Sequence, residues 1–117
     1  MLLTGNVAII TGGAGGIGKG IALKFAEEGA SVVIADIREE VGNKTVKEVI
    51  KKGVDGLFVQ CDVTDSSQIQ ALSDQTIKKF GKVDILVNNA GIGPFPRPTE
   101  ELPEEEWDRV MSINLKL

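Results

Sequence analysis

The sequence predicts an α/β fold built on a doubly wound parallel sheet of about four strands. Three observations predict it. Short, continuous apolar runs recur along the chain, each ending at glycine, aspartate or asparagine. Stretches with helical spacing of apolar residues separate them. A glycine-dense turn follows the first run. Apolar runs without polar alternation indicate strands covered on both faces. Strands alternating with helices indicate parallel pairing through right-handed crossovers.

The first strand is Val7–Ile10, which ends at the glycines. Ile17, Ile21 and Phe25 then recur every four residues, with Ala22 and Ala26 beside them. That is the apolar stripe of a first helix, and Gly29 stands where a helix C-terminus favours glycine. Ser31–Ala35 is the second strand, closed by Asp36. Val41, Thr45, Val46, Val49 and Ile50 form the stripe of a second helix, ended by Gly53. Leu57–Cys61 is the third strand, closed by Asp62. Asp65, Ser66 and Ser67 offer N-caps for a third helix carrying Ile69, Leu72, Thr76, Ile77 and Phe80, before Gly81. Val83–Val87 is the fourth strand, closed by Asn88, Asn89, Ala90 and Gly91. The proline-rich stretch Gly93–Pro98 is a loop. Pro103 suits the first turn of a last helix, with Glu104, Glu105 and Glu106 at its positive end. Trp107, Val110, Met111 and Asn114 share one face of it.

The 117 residues suit a single domain, 1–117. No apolar run approaches a membrane span, and the first residues lack the pattern of a signal peptide. One cysteine cannot form an internal disulfide, which favours a reducing cytoplasm. A net charge of −4 argues against a nucleic-acid partner. With no histidine, the commonest neutral-pH acid/base and metal ligand is missing, and no metal site is expected. With no tyrosine, no phenol chemistry is available to this chain.

Six of the fourteen glycines lie between Gly12 and Gly20. They fit three phosphate-binding templates. Gly13, Gly15 and Gly18 fit the dinucleotide pattern G-x-G-x-x-G. Gly13, Gly18 and Lys19 fit most of the triphosphate loop G-x-x-x-x-G-K-[ST]. Gly12, Gly16 and Gly18 fit T-G-x-x-x-G-x-G. All three bring backbone N–H groups at a helix start close to phosphate. The triphosphate template fails at position 20, where glycine stands in place of the metal-binding hydroxyl. Lys19 then reads as a solvated lysine of the first turn. A dinucleotide fold wants a carboxylate at the next strand end, to bind ribose hydroxyls. Asp36 stands there, and its charge would repel the extra phosphate of NADP. Asp36 and Asp62 can also be read as strand-end caps, and Asn88 and Asn89 as turn formers.

Together these residues resemble the short-chain dehydrogenases/reductases. Thr11-Gly12-x-x-x-Gly16-Ile17-Gly18 is similar to that family's cofactor loop, which selects the third template. Asp36 matches its NAD-selecting acid, and Asp62-Val63 its adenine-flanking pair. Asn89-Ala90-Gly91, after Asn88, resembles its N-N-A-G motif. Asn114 matches the asparagine of its catalytic tetrad. The resemblance runs from about Val7 to the end and implies a Rossmann-type sheet with NAD as cofactor. It implies that Gly12, Gly16, Ile17 and Gly18 cradle the pyrophosphate. Asn89, Ala90 and Gly91 would pass under the ribose linkage. Asn114 would bind a water in the proton relay; from the residues alone it reads as a polar group near a helix end. The implied reaction is hydride transfer between the nicotinamide and a secondary alcohol or ketone. Trp107 reads as a core anchor, Cys61 as an inert core thiol and Glu104–Glu106 as a helix start.

Family members run to roughly twice this length, the size of a six-stranded dinucleotide fold. Their serine, tyrosine and lysine follow the asparagine, at positions this sequence does not contain. The chain therefore resembles a truncated, cofactor-binding half, inactive alone. Its fourth strand would be an exposed apolar edge inviting self-association. An alternative is a catalytically inactive NAD-binding or interaction module.

Overall fold

A computed structural model describes residues 2–89. In chain order these form β1 (Val7–Thr11), α1 (Gly16–Glu27), β2 (Ser31–Asp36), α2 (Glu39–Lys51), β3 (Gly56–Gln60), α3 (Ser66–Phe80) and β4 (Ile85–Asn88). The sheet runs β3-β2-β1-β4, with every pair parallel. Ile9 of β1 lies level with Val33 of β2 and Leu86 of β4. This is the Rossmann-like α/β sheet expected from the sequence.

Alternate strand residues face opposite layers. Ile9, Val33, Val59 and Leu86 pack with Ile69 and Leu72 of α3. Ile10, Ile34, Ile85 and Val87 pack with Ala22 and Ala26 of α1 and with Val46 and Val49 of α2. Burial on both faces explains why the strands read as unbroken apolar runs.

Strand limits move by a residue or two. Thr11 and Asp36 are drawn into the ends of β1 and β2, while Cys61 falls just past β3. β4 begins at Ile85 because Asp84 acts earlier as a cap. Its carboxylate accepts the Val7 N–H at 2.8 Å, where a sheet carbonyl would otherwise stand.

The helices sit rotated from the predicted stripes. On α1 the buried residues are Gly18, Ala22 and Ala26, whereas Ile17 is 70% exposed. Ile21 and Phe25 are half-buried at the flanks. The helix lies so close to the sheet that only small residues fit beneath it. On α2, Gly42, Thr45, Val46 and Val49 face inward, and Val41 and Ile50 are exposed. A side chain at Gly42 would strike the Phe58 ring. On α3, Ser73 is buried and Ile77 is exposed. The predicted helix ends hold. At Gly29, the Gly29 N–H donates to the Ala26 carbonyl and the Ala30 N–H to that of Phe25, a Schellman closure.

Candidate cofactor site

Strand order reverses beside β1: the chain moves outward to β2 and β3, then returns to place β4 on the other side. Open α/β sheets form their ligand crevice at such a point, beyond the carboxyl ends of the strands. The glycine turn, Asp36, Asn88 and Asn89 all lie at those ends.

The backbone shows which glycines the turn requires. Gly12 and Gly16 have φ of +64° and +57°, which side chains disfavour. Gly15 is extended, with φ −154° and ψ 177°, and any residue could adopt that conformation. Gly18 is required by contact: a Cβ there would collide with the Gly12 carbonyl oxygen and lie 2.6 Å from Asn89 Nδ2. Gly13 is crowded as well, since a Cβ there would lie 3.0 Å from the Ile10 carbonyl oxygen, but Gly15 is free; the turn therefore constrains Gly12, Gly16 and Gly18, the T-G-x-x-x-G-x-G spacing, with Gly13 beside them. Lys19 does not face the turn as a triphosphate loop requires. Its ammonium pairs with Glu48 of α2 at 2.9 Å.

The N-terminus of α1 has no side-chain cap at Gly15 and no acidic residue in its first turn. Its first N–H groups and the positive end of its dipole are left for an anion. The turn is instead anchored by distant elements. The Ala14 N–H donates to Asp36 Oδ2 at 3.2 Å, and Thr45 Oγ1 of α2 donates to the Ala14 carbonyl at 2.6 Å. The Gly12 N–H donates to the Ala35 carbonyl at 2.7 Å. Asn89 Nδ2 donates to the Gly12 carbonyl at 3.1 Å. Thr11 Oγ1 donates to Asn88 Oδ1 at 3.1 Å, tying β1 to the end of β4.

Asp36 is buried, with 6% exposure. Burial pushes its carboxyl up. Hydrogen bonds from the Arg38 side chain, the Arg38 N–H and the Ala14 N–H outweigh that and hold it below the usual carboxylate range. Beside it lies a cavity of about 170 Å³, lined by Gly12, Asp36, Ile37, Cys61, Asp62 and Val63. Asp62 Oδ1 accepts from the Thr64 hydroxyl at 2.7 Å and the Thr64 N–H at 2.9 Å, which keeps its carboxyl low. Burial, followed by the charges of Asp62 and Asp65, pushes the Cys61 thiol up to about 11. Cys61 is thus a neutral core thiol, as its place beside a buried strand suggested. A larger hollow of about 440 Å³ on α2, among Glu39, Glu40, Asn43, Lys44 and Lys47, is walled by polar side chains of one helix only.

The structure thus brings Gly12, Asp36, Asp62 and Val63 around one cavity and sets Gly16, Ile17 and Gly18 at the helix start. Asn89 braces the turn. Ala90, Gly91 and Asn114 lie outside the described residues, as do the Gly93–Pro98 loop, Glu104–Glu106 and Trp107. Three participants escaped the sequence reading: Ala14, Arg38 and Thr45. Thr45 was visible only as a polar member of an apolar stripe. Among the described residues, no group of three histidine, cysteine or acidic side chains could hold a metal ion. Nor is any described helix long and apolar enough to cross a membrane.

The switch-point crevice and its glycine turn belong to a doubly wound, Rossmann-like α/β fold. The short chain dehydrogenase family profile matches residues 6–116, and the chain belongs to that family. It is 45% identical over 113 residues to the 7alpha-hydroxysteroid dehydrogenase of Escherichia coli K12, covering 97% of this chain and 44% of that one. The crystal structure of NAD+-bound xylitol dehydrogenase superposes with a TM-score of 0.76 at 33% identity, covering 94% of this chain and 42% of that one. A Burkholderia phymatum short chain dehydrogenase/reductase in complex with NAD gives 0.70 at 37% identity, covering 74% and 31%. The chain spans under half the length of the curated relatives it matches.

Proposed function

We propose that residues 1–117 form one domain that binds NAD across the ends of β1, β2 and β4. It would serve an oxidoreductase moving hydride between the nicotinamide and the carbon of a secondary alcohol or ketone. The observation that carries this reading is the pairing of an uncapped, glycine-built helix start with a buried carboxylate at the next strand end. The N–H groups at Gly16, Ile17 and Gly18 would face the pyrophosphate. Asp36 would accept the adenosine ribose hydroxyls, and Asp62 and Val63 would flank adenine. Asn89, Ala90 and Gly91 would pass beneath the ribose linkage, and Asn114 would hold a relay water. The bound nicotinamide supplies the hydride acceptor or donor. Two structures with NAD among those similar to this chain support the cofactor. The alcohols named in two of its relatives, a hydroxysteroid and xylitol, support the substrate class. The lone buried Cys61 suits a reducing cytoplasm.

For these residues alone the proposed role is cofactor binding without turnover, because they include no tyrosine to supply a phenol. Among the described residues β4 pairs on one side only, so its other side is where further strands or a second copy would add. Titration with NADH, following energy transfer from Trp107, the single tryptophan, tests the reading. Saturable binding weakened by Asp36→Ala is the expected result. Absence of saturable binding, or binding indifferent to Asp36, overturns it.

A further inference from the structure

Ala14 sits in the middle of the glycine turn, fully buried and held at both ends of its backbone. Its N–H donates to Asp36 Oδ2 at 3.2 Å, and its carbonyl accepts from Thr45 Oγ1 at 2.6 Å. Thr45 is itself buried in α2, with 1% exposure. A threonine inside a helix commonly returns its hydroxyl to the carbonyl one turn back. Thr76 does so, donating to Leu72 at 2.8 Å. Thr45 instead reaches out of its helix to the turn.

The Ala14 carbonyl and the Gly15 N–H belong to one peptide plane. In a trans peptide the two point in opposite directions. Holding the carbonyl toward α2 therefore turns the Gly15 N–H away from α2. Among the described residues no acceptor meets that N–H. It adjoins the uncapped start of α1. Glycine also leaves this peptide able to roll over. Gly15 has φ −154°, and half a turn of the peptide before it carries φ into the positive region, which glycine tolerates and other residues avoid. A rolled peptide would present its carbonyl oxygen where the N–H now stands, a negative end toward any anion.

We propose that Thr45 is a positioning residue of the phosphate site. Its hydroxyl sets the direction of the Ala14–Gly15 peptide, and so decides whether the turn offers an anion a donor or an acceptor there. The buried face of α2 thereby shapes binding without touching the ligand. This inference rests on the NAD-binding reading above and names what keeps its phosphate end in shape.

The test is the NADH dissociation constant of the 117-residue chain, read by transfer from Trp107, alongside thermal unfolding. Thr45→Val is expected to weaken NADH about tenfold, the weight of one hydrogen bond to a charged group. Thr45→Ser keeps the hydroxyl and should bind as wild type does. The decisive variant adds Gly15→Ala to Thr45→Val. A Cβ there meets only ordinary contact in the present conformation and disfavours the rolled one. The double variant should regain most of the lost affinity yet keep the lowered melting temperature, because the buried carbonyl still lacks its donor. No loss in Thr45→Val, or no regain in the double variant, overturns the proposal. Should Thr45→Val not fold, Gly15→Ala alone decides: unchanged affinity supports the extended Gly15 as the binding form, and a clear loss overturns it. If wild type binds no NADH, the NAD-binding reading itself falls; if wild type binds and the Thr45 series does not respond, only the role given to Thr45 falls.

Discussion

Two strand-to-helix junctions lie at the same end of the sheet, and they are built in opposite ways. Between β3 and α3 the chain satisfies itself locally. Asp65 Oδ1 accepts from the Ser67 N–H at 2.9 Å and the Ser67 hydroxyl at 2.7 Å, and Oδ2 accepts from Gln68 at 3.1 Å. Asp62 closes its own turn on Thr64. Between β1 and α1 the helix start carries no side-chain cap, and the turn is held by Asp36, Thr45 and Asn89, which are 22, 31 and 77 residues away from their partners. A self-capped helix start has no need of a ligand. An uncapped one, braced from a distance, leaves its donors unfilled while keeping its shape. The difference separates a helix start that closes on itself from one that leaves its donors for an anion, although Asp62 and Val63 of the closed junction still line the cavity beside Asp36.

Changing Gly18 should produce the largest effect. A methyl there meets the Gly12 carbonyl, which is backbone and cannot rotate away. Gly18→Ala should cost about 3 kcal/mol, the upper range for overpacking, and abolish NADH binding. Urea unfolding with the cofactor titration checks both. A variant as stable as wild type would mean that α1 is not pressed against the turn.

Thr45 tests the remote bracing. Thr45→Val keeps the shape but leaves the buried Ala14 carbonyl without its donor, at about 1–3 kcal/mol. The control is Thr76→Val. Thr76 is equally buried, but its hydroxyl donates to Leu72 within its own helix at 2.8 Å. That carbonyl keeps its helical partner, so Thr76→Val should change little. Equal losses in thermal unfolding would erase the distinction between bracing a turn and decorating a helix.

Acid separates the junctions next. Asp36, Asp62 and Asp65 are all held below their ordinary values. A lowered folded pKa gives stability that is present above the unfolded pKa and lost as pH falls through the folded one. Asp36 is buried, whereas Asp62 and Asp65 are screened by solvent. Asp36→Asn should therefore flatten the acid limb of the stability curve more than Asp62→Asn does. Asp65→Ala should lower the melting temperature by a few degrees through loss of its cap, and leave NADH binding untouched.

The sequence made some of this plain and hid the rest for physical reasons. All four strands could be read because double-sided burial writes an unbroken apolar run such as Ser31–Ala35. Asp65 and Gly81 marked both ends of α3, since caps are chemically local. Stripe facing was misread on α1: Ile17 is outside and Gly18 inside, because proximity to the sheet, which no single helix encodes, selected small residues over apolar ones. The residues alone left more than one glycine template open and the family resemblance chose among them; the physical reason lies in φ at Gly12 and Gly16 and in the approach of Gly18 to Gly12. Arg38 and Ala14 escaped notice because their roles depend on where Asp36 points, and Thr45 because its partner lies across the layer.

The smallest predicted effect turns the comparison around. Gly15 occupies the N-cap of α1 in an extended conformation that serine adopts freely, and a Cβ there meets only ordinary contact with Arg38. Gly15→Ser would give α1 the kind of cap that Asp65 gives α3. Its hydroxyl would accept from the N–H of Ile17 or Gly18, worth a few tenths of a kcal/mol of added stability. The same bond would take up a donor proposed to meet the pyrophosphate. Stability should rise slightly while NADH affinity falls, so that one substitution moves the two quantities in opposite directions. A rise in both, measured by melting and by cofactor titration, would show that the first-turn donors of α1 are not what holds the phosphate.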